Sequence, residues 1–192
     1  MNLYERIKDY RPYNEQEEND RMMMLDFMNR NPDCLLRSNT AAHVTASSWV
    51  VNPAKTKTLM IYHNIYHSWS WTGGHADGEE NLSAVAMREL CEETGIHRAR
   101  LLSDDIFSLE TLTVDGHSKR GKYVSSHLHL NLTYLIEADE SEHLLVKPDE
   151  NSGVKWFTFD EAVKAVSEPW MLEHIYKKLH EKIMIGTGRR SI

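Results

Sequence analysis

Three glutamates crowd the stretch Arg88-Glu89-Leu90-Cys91-Glu92-Glu93-Thr94-Gly95. The residues before them read as a helix, and Gly95 reads as its stop. A helix C-terminus carries partial negative charge, so each carboxylate there is disfavoured by about 0.3–1 kcal/mol. At the helical spacing of about 100° per residue, Leu82, Ala86, Glu89 and Glu93 share one stripe, with Val85 and Glu92 beside it. The first half of that stripe can pack on a sheet. The second half cannot be buried bare, because unpaired buried charge costs several kcal/mol. Arg88 supplies one positive charge against three acids. Clustered carboxylate oxygens suit a hard divalent cation, Mg2+ or Mn2+. The plainer reading is a solvated acidic face with one Arg–Glu pair.

The elements that must hold these acids are legible from their periods. Residues 14–30 read as a helix, acidic at first, with Met22, Leu25 and Met28 at three-residue spacing as its core side. Pro32 ends it. "AAHVTASSWVV" and "KTLMIYHN" read as strands joined by the turn "NPAKT". "LLSDDIFSLETLTV" follows the acidic helix, then "DGHSKRGK" as a polar loop. "YVSSHLHLNLTYLIEA" alternates, with Leu128, Leu130 and Leu132 on one face and His127, His129 and Asn131 on the other. "SGVKWFTF" reads as a strand. "DEAVKAVSE" reads as a helix capped by Asp160, and Pro169 starts a last helix to about Ile183. Strands mixed with a few helices predict an α/β fold with helices on both faces of a mixed sheet. An N-terminal helical extension (1–35) precedes the main domain (36–192).

With 192 residues, 41% hydrophobic and 27% charged, the chain has the profile of a globular domain with one core. The net charge of -7 and the lack of a basic face argue against nucleic acid as the main partner. No apolar run approaches a membrane span, and the opening "MNLYERIKDYRPYNEQEEND" has no signal-peptide pattern. Cys34 and Cys91 read as reduced thiols. The expectation is a cytoplasmic protein without a membrane partner, with a homodimer open through the N-terminal helix.

The spacing around the acids is specific. Gly74, five residues, Glu80, seven residues, then Arg88-Glu89-Leu90-Cys91-Glu92-Glu93-Thr94-Gly95-Ile96 resembles the signature of the Nudix hydrolases at every fixed position. The resemblance extends more weakly over about residues 40–166. Thr72 stands where many relatives have proline. The resemblance implies a Nudix-type α/β/α sandwich with a mixed β-sheet. It also implies a Mg2+- or Mn2+-dependent pyrophosphohydrolase that cleaves a nucleoside diphosphate linked to another moiety X. Glu89, Glu92 and Glu93 are the implied metal ligands, joined by the backbone carbonyl of Gly73. Arg88 is expected to hold Glu80 or Glu92. The family's general base is either a glutamate of this signature, the Nudix box, or an acid on a late loop. In "KPDENSG" the choice lies between Asp149 and Glu150, with Glu150 preferred because it stands just before the "VKWF" strand.

The chain carries 11 histidines. His127, His129 and Asn131 share a strand face, and His43 and His75 flank the glutamate segment in sequence. All five are candidates for holding the substrate. A His-x-His pair on a strand also suits zinc, which would make this a zinc protein of another class, though spacing fixes no third ligand. Trp49, Trp69 and Trp71 read as core, with base stacking as the alternative. Two other functions compete: a non-catalytic Nudix-fold module that senses a nucleotide, and an isomerase of the same fold. Such modules usually lose box glutamates, and here all are present.

Overall fold

In this computed structural model, residues 1–119 and 121–186 are described. The chain begins with two helices, α1 (Leu3–Asp9) and α2 (Glu15–Arg30). The side chains of Asn2 and Asn14 cap them by accepting the N–H groups of Glu5 and Glu17. Then come β1 (Ala42–Val51), β2 (Lys57–His63), β3 (Ser68–Ser70), β4 (Thr72–His75), α3 (Leu82–Thr94) and β5 (Ala99–Leu101). β6 (Ser108–Val114), β7 (His117–Lys119), β8 (Lys122–Val124), β9 (His127–Ala138) and β10 (Asn151–Thr158) complete the strands. α4 (Phe159–Ala165), α5 (Pro169–Met171), a π-helical turn (Leu172–Tyr176) and α6 (Lys177–Gly186) close the chain. Eight strands form one mixed sheet in the order β10-β2-β1-β9-β5, with β3 on β2, β4 on β1 and β6 on β9. The expected α/β class with N-terminal helices is what the chain forms.

The chain divides into two compact units built from interleaved segments. The first holds Met1–Ser47, Gly73–Ala86 and Ser103–Tyr134. In it β6 pairs antiparallel with β9, placing Glu110 opposite Asn131 and Leu112 opposite His129. Its core includes Leu3, Ile7, Met24, Val44, Leu109 and Leu132. α2 docks through Glu17, which is fully buried. The Glu17 carboxylate accepts from Tyr10 Oη (2.6 Å), the Tyr13 N–H (2.7 Å) and Ser108 Oγ (2.8 Å). That face corrects the reading of α2: Met22 is 52% exposed, whereas Met24 is 0% exposed. Glu17 and Met24 are seven residues apart and so share one face of the helix, while Met22 points nearly opposite.

The second unit holds Ser48–Thr72, Met87–Leu102 and Leu135–Ile192. Here β10 pairs antiparallel with β2, and β5 with β9. Trp49 is fully core: its ring stacks on Tyr176 at 5.5 Å, and Trp71 meets the same ring edge-on at 5.6 Å. Tyr176 ends the π-helical turn that interrupts the last helix expected from the sequence.

Two further readings are corrected. Thr158, not Asp160, caps α4. Its hydroxyl accepts the Glu161 N–H, and the Glu161 carboxylate accepts the Thr158 N–H, a reciprocal pair that Asp160 inside the first turn cannot make. The "DGHSKRGK" stretch is not a loop throughout. β7 and β8 pair as a hairpin, with Gly121 in the left-handed region at φ 76°; Arg120 lies outside the described residues.

Candidate active site

The acidic end of α3 is finished by groups that answer its exposed carbonyls. Gly95 adopts φ 74°, and its N–H donates to the Cys91 carbonyl at 2.9 Å. The Asn151 side chain donates to the Glu93 carbonyl at 2.9 Å, and the Leu145 N–H donates to that of Thr94 at 2.8 Å. With those carbonyls hydrogen-bonded, acids at this helix end are less strongly opposed.

The segment 145–151 also brings charge. Carboxylate oxygens of Glu89, Glu93 and Glu150 all lie within 4.8 Å of one another. Glu93 is only 4% exposed, while Glu92 faces outward. Lys147 Nζ bridges Glu92 (3.1 Å) and Glu150 (3.0 Å). Burial first, and the Glu92 charge next, push the Glu89 carboxyl above its ordinary range. Burial opposes the charge on Lys147, but the hydrogen bonds it donates to Glu150 and Glu92 outweigh it and raise its pKa. Arg88 is exposed and makes no ion pair among the described residues; its charge reaches Glu89 through space. The residue paired with Glu92 is therefore Lys147. Sequence reasoning passed over Lys147 and Asn151, although both lie in the "KPDENSG" stretch that it singled out.

This donor set fits a hard divalent cation. It is all oxygen, carboxylate-only and partly buried.

In the first unit a second group gathers. His43 on β1, His75 on β4, and His127 and His129 on β9 have ring centroids 4.9–5.1 Å apart in five pairs. Burial first, then the neighbouring imidazoles, push His129 down to about 2; burial also lowers His43. Asn131, expected beside them as a substrate contact, is instead saturated. It accepts from Thr45 and Ser47 Oγ (3.0 and 2.8 Å) and donates to Glu110 and Thr133 (3.1 and 3.2 Å), fully buried. Its role is to tie β1 to β9 and β6. Gly73 lies on β4, where a Cβ would come within 2.5 Å of Ser47 Oγ and 2.7 Å of the Ala46 carbonyl, so only glycine fits.

A family model, the NUDIX domain, matches residues 41–181. The chain belongs to the Nudix family. Solved structures agree on the Nudix fold. An Ap4A hydrolase from C. elegans, crystallised as a binary complex, is 21% identical with TM-score 0.53, covering 76% of this chain and 97% of that one. A NUDIX-family hydrolase from Clostridium perfringens is 21% identical with TM-score 0.51, covering 74% and 97%. RenU, a Nudix hydrolase from M. Smegmatis, is 14% identical with TM-score 0.52, covering 78% and 89%. No curated protein sequence matches. The chain is thus a Nudix hydrolase, of a family that acts on phosphoanhydride bonds and generally uses divalent metals. Within the Nudix box, Glu89, Glu92 and Glu93 come from one helix, and Glu150 joins them from outside it. No described helix is long and apolar enough to cross a membrane.

Proposed function

We propose that this Nudix hydrolase is a Mg2+- or Mn2+-dependent pyrophosphohydrolase acting on a nucleoside diphosphate linked to a second moiety. The observation that carries this reading is the meeting of Glu89, Glu93 and Glu150 within 4.8 Å at the end of the box helix. Glu89 and Glu93 would hold the cation, with Glu92 at the rim. When bound, it would neutralise diphosphate charge and acidify water. Glu150 is the proposed general base, standing beside the ligands on a separate segment. Lys147 positions Glu150 and Glu92 through its two ion pairs. The complete glutamate set favours catalysis over a sensing module. In this reading the enzyme works in the cytoplasm.

The test is phosphate release by purified protein with Mg2+ or Mn2+ against nucleoside triphosphates, dinucleoside polyphosphates, nucleotide sugars and ADP-ribose. Metal-dependent turnover of at least one class is expected. No turnover of any of them with either metal would overturn the proposal.

A further inference from the structure

Four clustered histidines of the first unit, His43, His75, His127 and His129, are not explained by hydrolysis at the glutamates. His43 Nδ1 lies 3.0 Å from the Asn39 carbonyl, and His127 Nδ1 lies 2.8 Å from the Ser125 carbonyl. A carbonyl only accepts, so each Nδ1 carries a hydrogen, and in the neutral ring each Nε2 then presents a bare lone pair. His43 is only 4% exposed, and its Nε2 is buried with no hydrogen-bond partner. A buried acceptor left in that state is destabilising unless something fills it. His127 Nε2 already stands 3.2 Å from His129 Nε2. One ring nitrogen each from His43, His75 and His129 lie within 4.8 Å of one another.

A lone pair does not hold a phosphate oxygen; it takes a cation or a hydrogen-bond donor. A ligand histidine with its other ring N–H given to a backbone carbonyl is the arrangement metal sites use to fix tautomer and ring orientation. We propose that His43, His75 and His129 form a second metal site, its fourth position left to water or another small ligand, selective for a borderline divalent transition ion of the Zn2+ type. The protein ligands are nitrogen only and uncharged, which suits Zn2+, Co2+ or Ni2+ and disfavours Mg2+. Bonds of about 2.0–2.1 Å in a tetrahedron require nitrogens about 3.4 Å apart, so the three imidazoles must close to that spacing on binding. His43, His75 and His129 stand on three different strands, which fixes their backbones. The site is separate in chemistry from the carboxylate set and stands whether or not the hydrolase substrate is nucleotide-like.

The experiment uses the full chain stripped by a chelator, then titrated with Zn2+ by calorimetry and with Co2+ by visible absorption. One tightly bound equivalent of Zn2+ is expected, not displaced by excess Mg2+, with a four-coordinate Co2+ spectrum. His43→Gln and His129→Gln should each weaken Zn2+ by at least about 10-fold. His75→Gln, half-exposed, reads the same loss where a buried substitution impairs folding. The Glu89→Gln/Glu93→Gln double variant should keep the Zn2+ equivalent. Absence of stoichiometric Zn2+ in the wild type overturns the proposal. So does Zn2+ that survives all three histidine variants. So does a rise in nucleotide KM in those variants with Zn2+ binding unchanged, which assigns the face to substrate.

Discussion

Glu93 and Glu92 are neighbours in sequence with different surroundings. Glu93 is buried against Glu89 and Glu150, while Glu92 is half-exposed on Lys147. Replacing a carboxylate by the amide of the same shape removes charge and leaves packing. Glu93→Gln and Glu92→Gln are each expected to lower turnover at least ~100-fold with the fold intact, as for loss of a group that stabilises transition-state charge. Steady-state kinetics with saturating Mg2+, beside circular dichroism, checks this. Near-normal rates in both variants would remove the carboxylates from the metal assignment.

At the scale of elements, one termination and one docking contact control position. α3 ends because Gly95 takes a left-handed turn, and a Cβ there would meet Leu145 Cβ and Cγ at 2.9 Å. Gly95→Ala therefore combines left-handed strain of about 1–2 kcal/mol with a clash against the segment that carries Glu150. A clear drop in denaturant midpoint and in activity is expected together; an unchanged midpoint would contradict it. The docking of α2 is set by the Tyr10–Glu17–Ser108 bonds. Burial first, then the Glu17 charge and hydrogen bond, raise the Tyr10 pKa well above its usual value. Above pH about 10 the unfolded chain has released the tyrosine proton while the folded chain keeps it, so stability falls as pH rises. Below that pH Tyr10 contributes fully. Urea melts across pH 8–11 should show this alkaline loss in the wild type and a shallower one in Tyr10→Phe.

For the molecule as a whole, the carboxylate cluster predicts a link between ion and stability. Glu89 is held above its ordinary pKa by burial and by Glu92, so its charged form is costly in the metal-free protein. A cation that binds only the folded state adds RT ln(1 + [L]/Kd), about 1.4 kcal/mol at ten times Kd. Calorimetry should show Tm rising with millimolar Mg2+, more with Mn2+, and no rise in the Glu89→Gln/Glu92→Gln/Glu93→Gln variant. The same scale explains the N-terminal helices. Leu3, Ile7 and Met24 are buried in the first unit, so they are part of its core.

The sequence by itself determined the Nudix family, the box helix and its stop, and most strands. These are local: a fixed spacing, a period of 3.6 or 2, a glycine at a turn. Even the preference for Glu150 came from its place just before a strand. Only the tertiary structure decided which acids and imidazoles meet. Glu150 reaches Glu89 and Glu93 from a distant segment, and Lys147 takes Glu92 from the same one. The alternation in "SHLHLNLTY" put His127, His129 and Asn131 on one face, but it could not say that Asn131 would be consumed by Thr45, Ser47, Glu110 and Thr133. Nor could it bring His43 and His75 to the histidines of β9. Strand neighbours and register are set by pairing between residues far apart in the chain, and a one-residue slip would turn every one of those side chains to the other face.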